Sequence, residues 1–411
     1  MRVIYTAAHA VDGSESVPLG GGAAISRLLT EEWGRTRPFE LRVIGPEIIG
    51  RGAPSGRDIV GFSESEYAQF CRSFEAAATE EILRQDPAQT VVLANDISEG
   101  PDFARLRRAR FRVVSIFHVD VVDYIASIYL RNRVPAESTV RWFRCLRMLP
   151  MPEIVRLIWQ KQSDCVEHSD RLVVPSAGMQ STLERCYPRH AGGKVTVLPW
   201  GAAVPVAAPE STVEAMRGEF GIEAGTRVLL TLSRISPEKG QHVLLEALLE
   251  WERSATPPEQ QIVLLLCGDA AYMQGRRYHD RLRQLAGRLS KIRVHFPGHV
   301  TGERKAACFA MADLYACPSV HESYGLTLME ALRAGVPAIC LPSHGAHEVM
   351  RPGVGEVVPR EQLWRALERW LGDEAMLREA GEAARAYGAE NTFGGAANAL
   401  AAVLQHVSCP S

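Results

Sequence analysis

The stretch PSVHESYGLTLMEALRAGVPAI, residues 318–339, decides how this chain is read. It places Glu322 and Glu330 around a glycine-containing turn that opens a helix, and Gly335-Val336-Pro337 then turns the chain into another strand-like run. A turn at Tyr324-Gly325 would aim backbone N–H groups at an anion, because a helix N-terminus is electrostatically positive. Glu330, on the helix that follows, could accept hydrogen bonds from a vicinal diol such as a ribose. The spacing alone is also compatible with two glutamates on a solvated helix face, so the surrounding residues have to decide.

Upstream, LLTLSRISPEKGQHVLLEAL, residues 229–248, sets Arg234 and Lys239 in a polar loop between a strand end and a helix start. Ligands of open α/β sheets bind beyond the carboxyl ends of the strands, which is where such a loop lies. An arginine fork and a compact lysine charge can together neutralise a diphosphate without a metal.

These residues resemble the retaining glycosyltransferases of family 4, the group 1 glycosyltransferases of the GT-B fold. That family carries an Arg and a Lys before a helix, then a Glu-x7-Glu element, then a Gly-x-Pro turn. Here they are Arg234, Lys239, Glu322, Glu330 and Gly335-Val336-Pro337, and the resemblance is strongest over residues 227–350. It implies that Arg234 and Lys239 hold the donor diphosphate, Glu330 the ribose hydroxyls and Glu322 the donor sugar, with Tyr324, Gly325 and Leu326 lining the same site. PLGGGAAISRLL, residues 18–29, is similar to the family's glycine-rich turn, so Gly21 and Gly22 join the donor-binding set. His118, at the end of SIFHVDVVDY, residues 115–124, stands where the family carries a histidine that contacts the sugar. The implied catalytic set is His118, Glu322, Arg234 and Lys239, with no metal and no cofactor beyond the nucleotide-sugar co-substrate. Two departures stand out. The chain reads His344-Gly345-Ala346-His347-Glu348 where Gly-Gly-x-x-Glu is common, and Trp200-Gly201-Ala202-Ala203 where Asn-Gly-Val-Asp is usual.

The rest of the chain fits an α/β reading. At 411 residues it is long enough for two domains, and 46% hydrophobic with 23% charged residues is the composition of a globular protein. A net charge of -2 gives no general attraction to nucleic acid. Nine scattered cysteines without a C-x-x-C pair argue against a disulfide framework or a zinc site, and fit a reducing cytosol. The opening MRVIYTAAHAVDG lacks a signal-peptide layout, and no apolar run is long enough to span a bilayer.

Strand-like runs rich in β-branched residues alternate with helical periodicity, as in parallel βαβ units. They are expected at Arg2 to Thr6, Leu41 to Gly45, Thr90 to Ala94, Arg112 to Phe117, Arg171 to Pro175 and Lys194 to Leu198. They resume at Arg227 to Leu232, Gln261 to Cys267, Arg293 to Phe296, Asp313 to Ala316 and Val336 to Leu341. A helix is expected over Ala24 to Gly34, closed by Gly34, and purely helical segments after Pro359. The Ala/Pro-rich residues 202–212 are expected to link the domains. The expected architecture is two Rossmann-like domains facing across a cleft: an acceptor-binding domain at 1–204, a nucleotide-sugar-binding domain at 205–390, and a C-terminal helix at 391–411 returning to the first.

Residues 124–162 mix aromatics with Arg131, Arg133, Arg141, Arg144, Arg147, Arg156 and Lys161, which suits an anionic lipid surface or acceptor as well as a solvated helix face. The expected enzyme moves a hexosyl group, from UDP-hexose first and GDP-mannose next, to a hydroxyl of a glycan, glycolipid or natural product. It would be cytoplasmic or peripheral at the inner membrane face. The competing readings are a GT-B nucleotide-sugar epimerase and a non-catalytic nucleotide-sugar-binding protein.

Overall fold

The computed structural model describes residues 1–9, 20–123, 134–146, 152–270 and 275–408. They form two compact units, Met1–Pro199 with Gly394–Ser411, and Trp200–Phe393.

In the first unit six strands, β1 (Arg2–Thr6), β2 (Glu40–Ile44), β3 (Thr90–Ala94), β4 (Arg112–Ile116), β5 (Arg171–Val174) and β6 (Val195–Val197), pair in the order β2-β1-β3-β4-β5-β6. Every pairing is parallel. β3, TVVLA, is buried at all five positions, as expected of a central strand covered on both faces. Helix α1 (Gly21–Thr36) buries Ile25, Leu29 and Trp33, one stripe at helical spacing. It does not stop at Gly34. The Trp33 ring is anchored in the core and its indole N–H donates to the Ala397 carbonyl at 3.2 Å, so the helix continues until Arg37 takes the left-handed conformation (φ 49°).

In the second unit β7 (Arg227–Leu232), β8 (Ile262–Cys267), β9 (Ile292–Gly298), β10 (Leu314–Cys317), β11 (Ala338–Cys340) and β12 (Gly355–Val357) pair in the order β12-β11-β10-β7-β8-β9, again all parallel. Helix α2 (Gln241–Glu252) buries Leu244, Leu245 and Leu248 completely, at roughly 1.5–3 kcal/mol of hydrophobic stabilisation each. Strand β12 escaped the sequence reading. It is three residues long, paired on one side only, and carries no period-2 pattern.

The Ala/Pro-rich stretch 202–212 lies within the second unit. Ala202 N donates to Asn391 O and Phe393 N to Ala202 O, and residues 210–212 already belong to the helix Glu210–Glu219. The last helix, Phe393–Ser408, belongs to the first unit from Gly394 on.

Candidate functional site

Sheet order locates a crevice in the second unit. β7 and β10 are neighbours, yet the chain leaves β7 toward β8 on one side and β10 toward β11 on the other, so the two loops diverge at the strand ends. Such a switch point is where doubly wound sheets bind ligands. The loop after β7 carries Arg234 and Lys239; the loop after β10 carries Glu322 and Gly325.

Glycine 240 lets these loops meet. Its φ of +67° is left-handed, and a Cβ there would sit 1.9 Å from the Pro318 carbonyl oxygen. Val320 N then donates to Glu238 O at 2.9 Å. The Lys239 ammonium donates to Glu322 Oε2 at 2.7 Å, with the two side chains only 16% and 18% exposed. Arg234 lies 3.7 Å from the Glu238 carboxylate, and Gln241 Nε2 donates both to Ser233 Oγ and to the Arg234 carbonyl, bracing that turn. Burial alone would raise the Glu322 pKa. The charge and hydrogen bond of Lys239, helped by His321 and Ser319, outweigh it and hold the carboxyl below its usual value.

Three short helices complete this edge: α3 (Gly302–Met311), α4 (Leu326–Ala334) and α5 (His344–Val349). α4 begins at left-handed Gly325 (φ 93°) with no side-chain cap, so its first-turn N–H groups are not consumed by a capping oxygen. It ends at Gly335 (φ 83°), where Gly335 N and Val336 N close onto Leu332 O and Ala331 O, which accounts for the Gly-x-Pro turn. Glu330, on α4, is ion-paired with Lys305 of α3 at 2.7 Å. Tyr324 is turned away from a ligand role for its side chain. Its hydroxyl accepts from Gly201 N at 2.7 Å and the residue is buried, leaving the main chain as what it offers.

The first unit repeats the topological logic. Its switch point lies between β1 and β3, because the chain passes from β1 outward to β2 while β3 lies on the other side. A Cβ on Gly22 would come within 3.1 Å of the His118 ring and 3.5 Å of Asp96 Oδ1, so this glycine lets α1 start against them. His118 Nε2 lies 2.9 Å from Asn95 Oδ1, which also accepts from the Tyr5 hydroxyl at 2.5 Å. Burial, then the neighbouring His9, depress the His118 pKa to about 3, so its ring is neutral at pH 7. Asp96 accepts from Ala8 N at 3.1 Å, and burial pushes its carboxyl up to about 6. Glu99 is also buried, but its bond and charge pairing with His9 and a bond from Tyr67 hold its carboxyl below the ordinary range. Asn95, Asp96, Glu99 and His9 were not singled out in the sequence. The available signal was a polar pair immediately following the apolar strand TVVLA.

Comparison with known proteins now bears on these two edges. Residues 212–387 match the family described as glycosyl transferases group 1. Over those residues the chain is similar to the group 1 glycosyl transferases. Curated relatives include the D-inositol 3-phosphate glycosyltransferases of Corynebacterium aurimucosum, 30% identical over 266 residues (62% of this chain, 61% of the relative), and of Nocardia farcinica, 30% identical over 270 residues (63% and 58%). The matched part thus spans about three fifths of the length of these relatives. In fold, the chain is similar to sucrose-phosphate synthase of Thermosynechococcus elongatus (TM-score 0.75, 17% identity, 100% of both chains covered). It is also similar to HepE of Anabaena in complex with UDP and glucose (TM-score 0.66, 17% identity, covering 98% and 99%).

At both departures from the family pattern the chain keeps a glycine that the fold requires. Gly345 N donates to Glu322 O at 2.7 Å, and a Cβ on Gly345 would lie 2.4 Å from the Tyr324 carbonyl oxygen. Gly201 (φ +67°) likewise leaves no room, with Thr392 backbone 2.6 Å from where its Cβ would be. Both retained glycines therefore seat Tyr324, Gly345 through its turn and Gly201 through the hydroxyl.

Of the basic segment 124–162, residues 124–133 and 147–151 lie outside the described residues. Arg141 and Trp142 are exposed. Lys161 is not a surface charge. It is buried, donates to the Gly100 and Pro101 carbonyls and pairs with Glu75, bracing the turn beside Glu99. Among the described residues no helix is long and apolar enough to cross a membrane, no cluster suits a metal ion, and the cysteines are free thiols.

Proposed function

We propose that this chain is a retaining glycosyltransferase that moves a hexosyl group from a nucleoside-diphosphate sugar to an acceptor hydroxyl, without a metal or other cofactor. The observation that carries this reading is the Lys239–Glu322 pair at the β7/β10 switch point, beside the uncapped start of α4. As the anomeric C–O bond breaks, the leaving diphosphate takes the electron pair and gains negative charge. Arg234, Lys239 and the first-turn N–H groups of α4 are fixed before the reaction and meet that charge without reorganising. The acceptor oxygen bonds to the anomeric carbon on the face the diphosphate leaves, and its proton passes to the departing phosphate oxygen.

In this reading Glu330 holds the ribose, while Glu322, kept ionised, faces the sugar and its developing positive charge. Gly21, Gly22 and His118 stay in the proposed donor-binding set; a neutral His118 acts as a hydrogen-bonding group, not a proton carrier. UDP-hexose is the favoured donor, with GDP-mannose next, and the UDP-glucose complex of HepE supports that order. The acceptor is a glycan, a glycolipid or a natural product. The protein works in the cytoplasm or peripherally at the inner membrane face, where the exposed Arg141 would meet anionic lipid.

The test is incubation of the protein with UDP-, GDP- and ADP-sugars without acceptor. Slow release of the nucleoside diphosphate supports the transferase; an epimerised sugar nucleotide would make it an isomerase; binding with no turnover of any donor would make it a binding protein.

A further inference from the structure

Glu330 and Lys305 belong to neighbouring helices, α4 and α3, and their side chains meet at 2.7 Å between Lys305 Nζ and Glu330 Oε1. The other carboxylate oxygen, Oε2, is shut off from solvent and has no hydrogen-bond partner among the described residues. A buried anionic oxygen with no donor is expensive to keep, so its donors are expected to arrive with a ligand. We infer that Lys305 is a positioning residue for nucleotide recognition: by occupying Oε1 it fixes the carboxylate's rotation and presents Oε2 as the acceptor for a ribose hydroxyl.

This rests on the nucleotide-sugar reading and adds a specificity device to it. With its charge partly neutralised by Lys305, Glu330 also stands near a polyanionic ligand at lower electrostatic cost than an isolated carboxylate would. A purely structural ion pair tying α3 to α4 would serve fold stability and would not distinguish nucleotides that differ by one hydroxyl. The positioning role must distinguish them, because a site built around a buried acceptor rejects an analogue that leaves it unpaired.

The experiment is calorimetric titration of the full chain with UDP, 2′-deoxy-UDP and 3′-deoxy-UDP, on wild type, Lys305→Met and Lys305→Arg. The wild-type chain is expected to prefer UDP to at least one deoxy analogue by roughly tenfold or more. In Lys305→Met that preference should shrink to about twofold, with UDP falling to the affinity of the analogue, and Lys305→Arg should restore most of it. Preference kept intact in Lys305→Met, or absent from wild type although UDP binds, would overturn the inference while leaving the nucleotide reading in place. If wild type binds no UDP and equally no GDP or ADP, the nucleotide reading itself falls and this inference with it. A Lys305→Met chain that does not fold leaves Lys305→Arg to decide: loss of the preference in a folded Lys305→Arg chain with UDP affinity unchanged also counts against it.

Discussion

Lys239 and Glu322, 83 residues apart in the chain, share a 2.7 Å ion pair between the loops that follow β7 and β10. Neither is more than a fifth exposed, so removing one partner strands the other's charge where water screens it poorly. Lys239→Ala is expected to reduce turnover by at least about 10²–10³-fold, the loss typical of a fixed group that stabilises transition-state charge. Steady-state rates at saturating donor check this, and near-wild-type turnover would remove Lys239 from the site.

Glu330 and Glu322 should separate in their kinetics. A ribose contact is made about equally in ground and transition states, so Glu330→Gln should chiefly raise the donor KM. Glu322 opposes charge that develops at the anomeric centre, so Glu322→Gln should chiefly lower kcat. The opposite pattern, with Glu322→Gln weakening binding of the free nucleoside diphosphate and Glu330→Gln leaving it untouched, would reverse the two roles.

Gly240→Ala should be costly. It combines a left-handed φ with a Cβ 1.9 Å from the Pro318 carbonyl oxygen, and the expected destabilisation in urea unfolding is roughly 2–4 kcal/mol. Gly34→Ala is the contrast, since that glycine is exposed inside α1 with nothing near its Cβ position. There alanine should stabilise by up to about 1 kcal/mol.

His118 is expected to stay neutral from pH 8 to pH 5, because its folded pKa of about 3 lies below the ordinary 6.5. The unfolded chain therefore binds the extra proton first, and His118 makes the fold lose stability as pH falls from about 6.5 toward 3. The imidazole proton shifts, followed by NMR, should show no titration of this ring in that range; a midpoint near 6.5 would show the ring to be solvated.

Asp96 has the opposite sign. Its folded pKa of about 6 lies above the ordinary 3.8, so between these values the folded chain holds more protons than the unfolded one and stability falls as pH rises. Asp96→Asn should flatten that part of the stability profile in urea titrations run from pH 4 to pH 6.5. An unchanged slope in a folded Asp96→Asn chain would mean that the carboxyl is not held in its protonated form there.

What could be read directly from the chain was whatever local pattern encodes. β-branched runs such as TVVLA and IVLLLC announced buried parallel strands, since a strand covered on both faces needs apolar residues at every position. Arg234, Lys239, Glu322 and Glu330 drew attention through their resemblance to the family pattern, and the fold sets the first three on the connections that follow β7 and β10. The glycines at 240, 201 and 345 were visible as letters, but their necessity depends on backbone from Pro318, Thr392 and Tyr324, which only the folded chain brings within reach. Lys305 beside Glu330, and Asp96, Glu99 and His9 around His118, were invisible for the same reason. A side-chain pair across two helices or two strand ends has no fixed spacing in sequence. Its partners are chosen by strand order, and the order β12-β11-β10-β7-β8-β9 is set by how the crossovers pack, a property of the whole sheet that no single segment carries.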